Sequence, residues 1–501
     1  MRARYPFACL GALALSTLPL ARPFSGMPSQ LTAPLRINAV YAQIGPAATD
    51  SADPEDADAV AEPEAPTSAD EPGAPNPEDP DAVVEPEASE PLDEASQRLI
   101  EGLQQYEQGD AAAALTSAQQ ALELARGSDD RLKESAALTI LGLASLGLEQ
   151  YPEAIDYGQQ AFTLLEDLED PQGQVVSLNI LATAHQLQGQ LDQAVDYAQR
   201  AFTVAQDNGF ASGALNALNI LSVSYRDLGR YSEAIETAQE ALNLAREIND
   251  APSAVNALNV LGSSLLVLEQ YEPALQTSQG AVEIASQIGD RRGEVTALSN
   301  LGVAQSKLGL TEDAIATSTA ALTLGTELED VETQLAALYT LGQTHHNAQA
   351  YDQALEFYQQ HLTLSREIGF PGAELQSLLG LGTAHLDAEQ YDDAIASFET
   401  LLSLARDRNQ LSFQTLGLTG LGLAHAGLED YSSASQQLET ALPITRQIGD
   451  QRSEYTVLNL LARVYQALGD TPKAEEYAAQ ATTLREAAES EAPESEAPES
   501  E

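Results

Sequence analysis

A chain of 501 residues with 76 acidic against 23 basic side chains, no Trp and one Cys narrows the field at once. Nucleic-acid backbones are held by clustered positive charge, so nucleic acid is excluded as a partner. One cysteine rules out a disulfide framework, and a composition rich in Ala, Leu and Gln points to a long helical array rather than mixed domains.

Residues 1–42 read as a signal peptide: Arg2 and Arg4 precede the uncharged run Phe7 to Leu20, and a cut after Ala42 follows small residues. That run is shorter than the ~20 residues of a membrane span, so the expected outcome is an exported chain, periplasmic or extracellular, with no stable membrane span after cleavage. An earlier cut or a retained anchor is the alternative. Residues 43–92 read as a disordered acidic, Pro-rich linker. From Ile37 to Gln97 there are 17 acids and no basic residue, too little apolar surface to offset the entropy of ordering. The tail 488–501, with its SEAPE repeats, reads the same way.

Between 93 and 487 the chain repeats every 40 residues. Alanine falls at 114, 154, 194, 234, 274, 314, 354, 394, 434 and 474, and leucine at 141, 181, 221, 261, 301, 341, 381, 421 and 461. Such register over a long stretch is the mark of a repeat architecture. Each unit reads as two helices. In 211–249, Leu215, Leu218, Leu221 and Tyr225 lie on one stripe of a first helix, and Ile235, Ala238, Ala241, Leu242 and Ala245 on one stripe of a second. Gly189, Gly229, Gly309 and Gly469 suit the turn inside a unit; Asn249, Gly289, Gly369 and Gly449 suit the stop at its end. Neither stripe is buried by one helix alone, so the hairpins must stack on their neighbours, giving an all-α solenoid of about ten helical hairpins. The first helix, with Glu101 where other units have leucine, reads as a solvent-facing cap, and Pro443 is expected to interrupt the second helix of its unit.

The Leu-Gly, Gly-x-Tyr and Ala-Ile phases, as in LGRYSEAIETAQEAL at 228–242, resemble the tetratricopeptide repeat superfamily. The 40-residue period is similar to its kinesin light chain and Rapsyn-like bacterial variety. The resemblance implies a right-handed α-solenoid superhelix whose first helices line a concave groove, and a scaffold that binds a protein or peptide segment there.

The segments NALNIL at 216–221 and NALNVL at 256–261 set Asn216, Asn219, Asn256 and Asn259 on successive first helices, with Asn179 in the 219 phase of an earlier unit. Asparagine costs a helix about half a kcal/mol relative to alanine, so the repetition calls for a reason. These side chains are expected to face the groove. Their amides either pair with an extended guest, with Arg226 and Lys307 supplying positive charge for a carboxylate, or bond between helices and stiffen the stack. Tyr339, Leu379 and Thr419 replace asparagine in later units and make that stretch more apolar.

His185, His345, His385 and His425 share the phase of Tyr225 and Tyr465. Equivalent residues in neighbouring hairpins lie ~10 Å apart, too far to share one ion, so these histidines read as packing rings and no metal or other cofactor is expected. No phosphate loop, zinc signature or serine elbow is present, and the chain reads as a non-enzyme. An acidic cation-binding or surface-coat component is the alternative function.

Overall fold

The computed structural model describes residues 92–491, all helix and short turns. The expected signal peptide and all but the last residue of the linker lie outside the described residues. The chain divides into two compact units between Ser253 and Ala254. The first unit holds α1 (Glu94–Glu107), α2 (Ala111–Gly127), α3 (Arg131–Gly147), α4 (Tyr151–Asp167), α5 (Pro171–Leu187), α6 (Leu191–Asn208), α7 (Ala211–Asp227) and α8 (Tyr231–Glu247). The boundary falls within α9 (Ala251–Val267). The second unit continues with α10 (Tyr271–Ile288), α11 (Arg291–Lys307), α12 (Thr311–Glu327), α13 (Val331–Asn347), α14 (Tyr351–Glu367) and α15 (Pro371–Asp387). It closes with α16 (Tyr391–Asp407), α17 (Leu411–Gly427), α18 (Tyr431–Ile448), α19 (Gln451–Leu468) and α20 (Thr471–Glu491). The expected α-solenoid of helical hairpins is what each unit contains. The last helix runs to Glu491, four residues into the expected tail, and the remainder of that tail lies outside the described residues.

One turn joins every described pair of helices. The residue at every twentieth position from 109 to 469 has a left-handed backbone: nine glycines, and ten other residues, among them Glu149, Glu169, Asn249, Glu269 and Glu329, with φ between 53° and 61°. The N–H of the next residue reaches back to the carbonyl five positions before it, as Arg230 to Tyr225 at 2.8 Å and Asp250 to Ala245 at 2.7 Å. This satisfies an orphan carbonyl of the helix just ended. That same residue then opens the following helix: the Asp290 carboxylate accepts from the Gly293 N–H at 2.9 Å and Asp110 from Ala113 at 3.0 Å. Three residues thus stop one helix and start another, and the underlying period is 20, half of the 40 visible in the side chains.

Stacking buries the repeated positions. The alanines from 114 to 434 have no exposed surface, and the leucines from 141 to 461 are all buried. Small residues admit large ones from the neighbouring helix. Gly382 and Gly420 flank the fully buried Phe398, and a Cβ at Gly420 would stand 2.5 Å from its ring. In α1, Leu99 and Leu103 are buried while Glu101 pairs with Arg98 at 2.8 Å, the arrangement of a cap with one dry face. Pro443 does not interrupt its helix: α18 is continuous from Tyr431 to Ile448. Pro443 lies on an exposed face, so the carbonyl that loses its intrahelical donor is open to water.

The histidine phase packs rings between the two helices of a hairpin. His185 stacks on Tyr197 at 5.2 Å and His345 on Phe357 at 5.3 Å, as Tyr465 does on Tyr477 at 5.7 Å. His361 is buried beside Tyr339, its ring 5.4 Å away, with Nδ1 2.6 Å from the Ser377 hydroxyl. Burial holds the His361 pKa down at about 4.

Two predictions follow from this geometry. A Cβ at Gly309 would meet nothing within 4 Å, so only φ demands glycine there. Gly309→Ala should lower stability, and Glu169→Gly or Glu329→Gly should raise it, each by about 1 kcal/mol in urea melts. For His361 the folded pKa lies below the unfolded value of ~6.5, so the unfolded chain binds the proton more tightly. Stability is full above pH ~6.5 and falls towards pH 4, by up to roughly 3 kcal/mol. Melts across that range should show the loss, and His361→Gln should flatten it.

Candidate binding surface on the first helices

First helices pack on one another along the stack, α1 on α3, α3 on α5 and α5 on α7 in the first unit, while second helices make no comparable contact among the described residues. The second unit repeats this from α11 to α19. First helices therefore form the inner layer of each unit. How open that layer is depends on side-chain size.

In the first unit it is nearly closed. Residues 135–145 of α3 and 175–185 of α5 are buried on every face, the pattern of a helix with neighbours all round. Asn179 and Asn219 lie inside this layer, 1 % and 4 % exposed. Asn179 Nδ2 donates to the Gly213 carbonyl of α7 at 3.3 Å, and the Oδ1 atoms of both asparagines are buried without a partner. The expectation that these amides stand free towards a guest is corrected here: close approach of the first helices leaves no gap at this phase. Asn216, one turn earlier, is half-exposed. Arg226 is half-exposed and pairs with its neighbour Asp227 at 2.8 Å, so its charge is already met.

In the second unit more of this layer is half-exposed from α9 to α13. Asparagines bridge α9 and α11. Asn259 Nδ2 donates to the Gly293 carbonyl at 3.0 Å, and Asn300 Nδ2 donates to the Asn259 carbonyl at 3.2 Å. Asn259 is 7 % exposed with its Oδ1 unpartnered, so it too is committed to the stack, whereas Asn256 is half-exposed. Around them Ser299, Asn300 and Val303 of α11 and Ala336, Tyr339 and Gln343 of α13 are half-exposed. Farther on, Leu379 and Thr419 are buried, so the apolar stretch expected there is packing rather than open surface.

Lys307 ends α11 at the rim of this face. It is half-buried, and among the described residues no carboxylate lies within ion-pair distance, unlike Lys133 with Asp130 at 3.0 Å or Lys473 with Glu439 at 3.5 Å. Burial pushes its pKa below the usual lysine range, and Glu269 opposes that shift. Two repeats on, the residue in the same phase is Asp387, whose carboxylate is 2.8 Å from His346 Nε2. Asn300, His346 and Asp387 were not among the expected site residues. The charged phase of Arg226 and Asp227 was the available signal, since His346 and Asp387 occupy it in later repeats.

Comparison with known proteins agrees with this architecture. A tetratricopeptide repeat model matches residues 174–247, 253–327, 333–407 and 413–487, and a second one matches 101–164. The chain belongs to the tetratricopeptide repeat family. No curated protein matches it. Among solved structures it is similar to the apo form of RapI, with a TM-score of 0.55 and 13 % identity over 72 % of this chain and 99 % of the other. It is also similar to a signal transduction ATPase with numerous domains and a tetratricopeptide repeat sensor from Pyrococcus horikoshii, with a TM-score of 0.50 and 15 % identity over 67 % of this chain. In that case the match spans 54 % of the other protein. At these identities the likeness is one of fold.

The committed amides give a direct test. Asn259→Asp or Asn179→Asp replaces a donor with an acceptor facing a backbone carbonyl, and should cost roughly 2–3 kcal/mol in chemical melts.

Proposed function

We propose that this chain is an exported, non-enzymatic scaffold that takes a protein or peptide segment on the inner face of its first helices. Membership of the tetratricopeptide repeat family supports a role in protein–protein interaction. No described helix is long and apolar enough to cross a membrane. The observation that carries the reading of the site is Lys307. In a chain of 76 acidic and 23 basic residues, a half-buried ammonium with no carboxylate within ion-pair distance among the described residues is a seat for a guest's carboxylate. Asn256 and Lys307 in one unit, and Asn216 in the other, offer polar groups to the guest. Asn179, Asn219 and Asn259 set the spacing of the helices beneath.

The test uses randomised hexapeptide pools on the immobilised full-length chain, with free or amidated C-termini. The free-carboxylate pool should be retained about tenfold better, and Lys307→Met should remove the difference without lowering the melting temperature. Equal retention of both pools by the unaltered chain would overturn the assignment.

A further inference from the structure

In the second unit a cavity of about 400 Å³ lies where the turn before α14 meets the end of α15, lined by Gln349, Tyr351, Asp352, Gln353, Asp387 and Glu389. Three of these are carboxylates, and no lysine or arginine lines it. Asp387 is the last residue of α15, where the helix dipole already places negative charge and a cation is the favoured neighbour. Its side chain is 8 % exposed, with one carboxylate oxygen on His346 Nε2 at 2.8 Å. The other, Oδ1, is buried without a hydrogen-bond partner. A carboxylate set against a helix C-terminus and half satisfied is a site lacking a donor.

We infer that this cavity is a subsite for a primary ammonium group, carried by a lysine side chain or by the N-terminus of a bound segment. The inference rests on the reading that the first helices hold such a segment. A compact ammonium directs three donors, one towards Asp387 Oδ1 and others towards the exposed Asp352 and Glu389. A guanidinium fits less well, because its planar fork needs two oxygens of one carboxylate and Asp387 has one to give. Lys307 and Asp387 hold the same position in the repeat, two hairpins apart, which at ~10 Å per hairpin separates them by roughly 20 Å. An extended chain advances ~3.4 Å per residue, so a segment of about six residues spans from a carboxylate at Lys307 to an ammonium at Asp387.

Three randomised hexapeptide pools separate the outcomes: free N-terminus without lysine, acetylated with one lysine, and acetylated without lysine. At least one amine-bearing pool should be retained about tenfold over the third. Retention of the first alone identifies the N-terminal amine; of the second alone, a lysine. Asp387→Asn should abolish the amine preference while leaving the carboxylate preference due to Lys307, so either assignment can fail without the other. Should Asp387→Asn melt early, the exposed pair Asp352→Asn and Glu389→Gln should still weaken the preference at least about threefold. Equal retention of all three pools, indifference to these substitutions, or displacement of the amine pool by calcium at constant ionic strength would overturn the proposal.

Discussion

Every hairpin in this chain depends on a three-residue reversal in which a left-handed residue lets one backbone N–H close the helix behind it. Because that closing residue also caps the next helix, no slack remains between elements, and apart from the first and last, the described helices take 17 or 18 residues. Constant length keeps the apolar stripe of each helix aimed at its neighbours, since one extra residue rotates a helix by ~100°. Ten of these positions tolerate the left-handed strain without glycine. The stack holds them there: a residue whose own preference is modest is overruled by the burial of two helices.

Between hairpins a second set of bonds recurs. Gln174, Gln334 and Gln414 each donate to the carbonyl nine residues back, at 3.1–3.2 Å. Where that position is glutamate, as at 134, 374 and 454, it instead receives Arg126, Arg366 or Arg446 at 2.7 Å. The ion pairs are exposed and contribute little individually. Their regularity fixes how the second helix of one hairpin meets the first helix of the next.

The inner layer varies within this uniform frame. Where its side chains are leucine and isoleucine, as in α3 and α5, the first helices close on each other and leave nothing for a guest. Where serine, glycine and asparagine are common, as from α9 to α13, more of the layer stays half-exposed, with Lys307 at the end of α11. A solenoid with constant turns can therefore vary the exposure of its inner layer simply by changing the residues on one face.

Much of this was legible in the residues themselves. Periodic Ala114 and Leu141 positions announced stacked hairpins, because a stripe that one helix cannot bury alone forces a neighbour on it. The glycines marked many of the turns, and the spacing of His185 and His345 marked packing rings. The direction of the asparagines was not legible. Position 219 can face either a cavity or an adjoining helix, and the choice is set by how closely two backbones approach, which depends on residues 40 positions away. The pairing of His346 with Asp387, and the lack of an ion pair at Lys307 among the described residues, are likewise distances between repeats. Local periodicity determined the elements and their order; only the packed stack decided which polar groups were spent holding it together and which stayed half-exposed.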